Sequence, residues 1–263
     1  DTSDMSVAVS SGAAPYILTD NAPTWVQGHT DNSNITTTSY THALTGSAFT
    51  GSMRLVKQGD GTLVLPNVTQ TYTGETNVWA GTLRFDGIMK NSRVWLNRFA
   101  LLDSHGGTFS KGIIADYASQ ILPGGAGNRG TLSTTQLTLN FGSRVKFDLY
   151  SSGKAADNIL ADTLTINTKS WLNGPTYNKP VFAFVRHSST MPDGAYFLGT
   201  INTLVGSLDD LTIEGLSGLT YKLRLVNKSL YLILGDGDYR TQTWTFHDAN
   251  WSTSVTNKIA ADG

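Results

Sequence analysis

Apolar and polar residues alternate along this chain in short runs. In Gly61-Thr62-Leu63-Val64-Leu65 the two leucines fall on one side, and Gly81-Thr82-Leu83-Arg84-Phe85 writes the same pattern again, from 61 to 81. Alternation of this kind marks a strand with one buried face. A strand that returns at the length of one solenoid turn predicts a coiled β-structure. Between the copies, Pro66-Asn67 and Gly74-Glu75 supply the corners.

The pattern continues downstream. Val94-Trp95-Leu96 and Ala100-Leu101-Leu102 follow, and Pro123-Gly124-Gly125-Ala126-Gly127-Asn128 breaks the run as a loop. Four strands are expected next, at Leu137–Phe141, Val145–Leu149, Leu164–Ile166 and Val181–Val185, the last apolar throughout, as for a strand covered on both faces or lying at an end. Leu211–Ile213 is a further short strand. Tyr221–Leu225 and Leu230–Leu234, separated by a turn centred on Asn227-Lys228, predict a closing β-hairpin. Upstream, residues 1–12 are small and polar and read as a mobile end, and residues 15–40 as a cap or an irregular first coil.

The stretch from Ala43 to Gly87 also resembles a known repeat. Lys57-Gln58-Gly59-Asp60-Gly61-Thr62-Leu63, Tyr72-Thr73-Gly74-Glu75-Thr76 and Val78-Trp79-Ala80-Gly81-Thr82-Leu83 match the autotransporter-associated β-strand repeat, also called the passenger-associated transport repeat. The resemblance implies a right-handed parallel β-helix from a bacterial secreted or outer-surface protein, and it brings no catalytic motif. With the alternation it gives an all-β chain in three parts. Residues 1–42 form the mobile end and cap, 43–235 the β-helix with its C-terminal hairpin, and 236–263 a tail that resembles the start of another repeat unit. The chain accordingly reads as part of a longer polypeptide.

Composition narrows the function more than it defines it. Charged residues make up 15% of the 263 and the net charge is −1, so no electrostatic footprint for nucleic acid is present. Cysteine is absent, which removes disulfides and thiolate metal sites. No run approaches the roughly 20 apolar residues of a membrane span, so no membrane insertion is expected. Glu75 and Glu214 are the only glutamates, which leaves paired carboxylates for glycoside hydrolysis to aspartates that cannot be paired from sequence.

Strand alternation also names outward residues. Trp79, Arg84 and Trp95 should face solvent and could stack against sugar rings, the basis for expecting a polysaccharide or cell-surface glycan as partner. Arg144, Lys146, Asp148 and Tyr150 form a second outward row. Its first three members are the residue types a polysaccharide lyase would use, a base beside groups that hold an acidic sugar, although a solvated charged face has the same appearance. Asp236 and Asp238 offer two carboxylates that calcium could take, but the EF-hand pattern is missing and a Gly-Asp turn accounts for them. The histidines share no ligand spacing. No cofactor is therefore expected, calcium being the one candidate. The reading that follows is a non-catalytic stalk, spacer or glycan-contacting module, with a polysaccharide lyase, or a fragment of one, and an adhesin as its rivals.

Overall fold

The computed structural model describes residues 4–21, 24–27, 36–125, 127–168 and 179–235, with side chains outside 24–27 and 36–39. It is a parallel β-helix with three faces. The first face stacks Met5–Val9, Thr41–Gly46, Thr62–Val64, Thr82–Arg84, Leu101–Asp103, Gln120–Leu122, Arg144–Tyr150, Val181–Arg186 and Thr212–Glu214. A second sheet supplies the other two faces. One holds Thr69–Gln70, Ile88–Met89 and Thr108–Phe109, the other Ile17–Asn21, Arg54–Gln58, Thr76–Val78, Val94–Leu96 and Ile113–Ala115. Thr131–Leu139 and Asn158–Ile166 run through both faces, pairing with Thr108–Phe109 and Ile113–Ala115 in the first case. Their inward positions are 132 and 134, then 137 and 139, so the alternation slips by one where the strand turns the corner.

The repeated Gly-Thr-Leu stacks on itself, Thr82 over Thr62 and Leu83 over Leu63. That register holds along the whole first face: Met5, His42, Leu63, Leu83, Leu102, Ile121, Val145, Phe182 and Ile213 form one column. Most of these side chains fill the lumen, and the core is a single continuous cluster from Phe49 to Leu234. Burying each such leucine contributes about 1.5–3 kcal/mol, so stacking of neighbours holds the coils together. Several polar groups that enter the lumen are bonded there. Gln70 accepts from Phe49 N at 2.8 Å and donates to Pro66 O, Ser104 Oγ donates to Phe85 O at 2.7 Å, and Tyr72 Oη meets Thr76 Oγ1 at 2.6 Å. Burial pushes the Tyr72 hydroxyl up to about 12.

The expected hairpin is present: Tyr221–Val226 pairs antiparallel with Ser229–Leu234, and Asn227 and Lys228 take the left-handed conformations of the two-residue turn. Val181–Arg186 is covered on both faces over its first four residues, as its sequence implied.

Met5–Val9, read from the sequence as part of a mobile end, forms a strand in parallel register with Thr41–Gly46. Its backbone pairing needs no apolar pattern, and three of its five residues are exposed. The antiparallel pair Thr24–Gln27 and Thr36–Ser39 departs from the stack. The strand Gly194–Val205 was hidden from alternation because Gly199 sits at a register shift that resets the pattern. The tail, with Asp236 and Asp238, lies outside the described residues.

Candidate functional site

Arg144–Tyr150 places its side chains as alternation predicts. Val145, Phe147 and Leu149 are fully buried, and Arg144, Lys146, Asp148 and Tyr150 turn outward. The outward charges, however, are engaged with one another. Arg144 reaches Glu214 on the strand two positions away, Nη1 to Oε2 at 2.5 Å and Nη2 to Oε1 at 3.3 Å. The small Ala183 pairs with Lys146 on one side and Glu214 on the other, and lets this bridge pass over the strand between. Lys146 is half-buried.

Asp148 is buried, although its side chain leaves the lumen. Its Oδ1 lies 2.9 Å from His187 Nε2, and Oδ2 accepts from Gly127 N at 3.0 Å. Beside it, Asp157 accepts from Gly130 N at 3.0 Å and from Asp148 N at 2.8 Å. Two carboxylates thus tie the glycine loop down over the strand, and at Gly124 a Cβ would fall 2.1 Å from Asp157 Oδ1. His187 stacks on Tyr150, with centroids 4.7 Å apart and rings inclined by 7°. Burial pushes the Asp157 carboxyl up to about 6 and raises the Tyr150 hydroxyl. The arrangement can hold a loop. With Arg144 and Asp148 both engaged, it presents no open cation-and-carboxylate row.

The residues proposed for sugar contact separate. Trp95 lies on the third face and Trp79 just past the end of its strand Thr76–Val78, whereas Arg84 lies on the first face, where Asp103 Oδ2 accepts from its Nε at 2.8 Å and its Nη2 at 2.7 Å. Trp95 is half-buried, its indole N–H donating to Asp116 Oδ2 at 2.6 Å. Asp116 continues into a polar ladder along the corner, accepting from Asn140, which accepts from Asn167. Trp79 remains 55% exposed.

At the corner between the third and first faces, Trp79 is joined by residues that alternation did not single out. Phe99, 70% exposed, occupies the same corner one coil later, and Tyr117 the coil after, with Arg98 CZ 5.3 Å from the Tyr117 ring. Backbone bonds from Asn97 N to Val78 O and from Asp116 N to Leu96 O stack these corners directly. Phe99 has φ 66°, a left-handed conformation that a bulky residue adopts at a cost of about 1–3 kcal/mol. The only sequence signal for it was an aromatic at a turn. On the second face, Thr108, Ser110, Ser133, Thr135, Asp162 and Asn202 line a shallow hydroxyl-rich depression.

Among the described residues no group of three or more His, Cys, Asp or Glu converges as a metal site would, and no helix is long and apolar enough to cross a membrane. A search of curated proteins finds no match to the chain. A family match falls on the coil where the Gly-Thr-Leu strand repeats, from residue 55 to residue 85. The chain is a parallel β-helix in which residues 55–85 match the passenger-associated-transport-repeat.

Proposed function

We propose that this chain is a non-catalytic stalk of a bacterial secreted or cell-surface protein, a rigid segment that holds its neighbours apart. The observation that carries this reading is the first-face column, which runs in unbroken register from Met5 to Ile213. Eight steps of about 4.8 Å make that column about 38 Å long. The repeat supports secretion or surface display. Mutual pairing of the outward charges, Arg84 with Asp103 and Arg144 with Glu214, supports a passive face. Incubation with a panel of acidic and neutral polysaccharides, calcium present, should yield no unsaturated or shortened product. Turnover that disappears in Lys146→Ala would contradict the stalk reading and restore the lyase.

A second reading adds glycan contact, and Phe99 favours it. An exposed aromatic held in a costly backbone conformation, beside an exposed Trp79, supports a surface kept for contact. Sugar rings stack on such faces through their C–H edges. On a glycan array the chain should bind a polysaccharide or cell-surface glycan, with Trp79→Ala and Phe99→Gly each weakening binding at least tenfold. Binding that survives both changes would move the contact elsewhere, and binding of a host protein alone would favour the adhesin.

A further inference from the structure

The first coils place three ionisable side chains where every later coil places apolar ones. The column that runs through Val78, Leu96, Ala115, Leu139 and Ile166 begins with Asp20 and Lys57, which are paired in register. His42 stands second, after Met5, in the column that continues through Leu63. All three are buried, Lys57 completely. They also touch: His42 Nδ1 lies 2.6 Å from Asp20 Oδ1, and Lys57 Nζ lies 3.7 Å from Asp20 Oδ2. Adjacent strands of a stack require none of this. Val78 and Leu96 show what the position accepts at no electrostatic cost, and burying charges here is expensive.

We infer that Lys57 and Asp20 are the partners of an intramolecular amide cross-link, formed with the help of His42, that staples the first coil to the second. The reacting groups are a nucleophile and an electrophile on neighbouring strands. Lys57 Nζ donates to Gln58 O and to Gly59 O at 2.7 Å and faces Asp20 as its third neighbour, so a neutral amine that keeps the two carbonyl bonds turns its lone pair toward the carboxyl. Burial outweighs the nearby carboxylate and lowers the Lys57 ammonium from its usual value, which favours that neutral form. A proton moved from Lys57 to Asp20 leaves an uncharged amine beside an uncharged carboxyl, the arrangement a desolvated site prefers.

The condensation balances without a further reagent. The Nζ lone pair attacks Asp20 Cγ, and the Nδ1–H of His42 donates a hydrogen bond to the oxygen it touches as negative charge gathers there. The tetrahedral carbon then expels the carboxyl's hydroxyl oxygen, which takes a proton from Nζ and leaves as water. One C–N bond forms, one C–O bond breaks, and His42 is unchanged. His42 Nε2 is buried with no hydrogen-bond partner, which fits the Nδ1–H tautomer, since an orphaned lone pair costs less than an orphaned cationic N–H. A dry site favours amide over hydrolysis.

Intact mass of the purified full chain tests this directly. It should lie about 18 Da, one water, below the mass of the uncross-linked chain, and a peptide map should contain a branched peptide joining residue 20 to residue 57. The branched peptide is required because a succinimide at Asp60-Gly61 or Asp86-Gly87 has the same mass. Lys57→Arg keeps the charge and should restore the full mass. His42→Leu removes the donor to the developing oxyanion and should slow linking by about 100-fold. Native protein at full mass with no branched peptide would overturn the inference.

Discussion

Asp157 shows how a single carboxylate can make the stability of this chain depend on pH. Its folded-state value, about 6, lies above its unfolded value of 3.8 because burial outweighs the two backbone N–H groups it accepts. Between about pH 4 and pH 6 the folded state therefore binds more protons than the unfolded state, and stability falls as pH rises through that window. Asp157→Asn removes the titration and one of the two accepted bonds. The stability of the variant, measured by urea unfolding, should be flatter than the parent's between pH 4 and 6. An unchanged slope would show that another group governs the window. Single residues were also where sequence reading was least complete. Trp79 was correctly read as outward, but Arg84 joined it only on paper, because alternation tells inside from outside and says nothing of which face a strand occupies. Phe99 escaped altogether, since it stands in a turn where no period applies.

Each coil depends on its corners as much as on its strands. Gly81 closes the corner after Trp79 with φ +67°, and a Cβ there would lie 2.4 Å from both Gly59 O and Gly61 O. Backbone atoms cannot step aside as a side chain would. Gly81→Ala should lower stability by more than about 1 kcal/mol and loosen amide protection in Thr62–Val64 and Thr82–Arg84 together, measured by hydrogen exchange. Protection lost on one strand alone would contradict the shared corner. The strands around this corner were legible because Gly-Thr-Leu recurs there with nothing inserted. Gly194–Val205 was not, because the register shift at Gly199 breaks the only signal a strand of this kind carries. Met5–Val9 was missed for a different reason: edge pairing is a backbone interaction, and its small exposed residues give no pattern to read.

Across the whole molecule, the long pairing column and the internally paired outer charges describe a body that grows by adding coils. Nothing in one coil must change for another to be placed beside it. The parallel β-helix was legible because the same register rule acts in every turn, whereas the aromatic corner depends on side chains brought together only after the corners stack. The stalk reading makes length its functional property, and this can be measured. Five further copies of residues 62–81 inserted after Gly81, each in register with the last, should lengthen the particle by about 24 Å in small-angle scattering while its cross-section stays constant. A chain that swells without lengthening, or that loses its folded profile, would contradict the account.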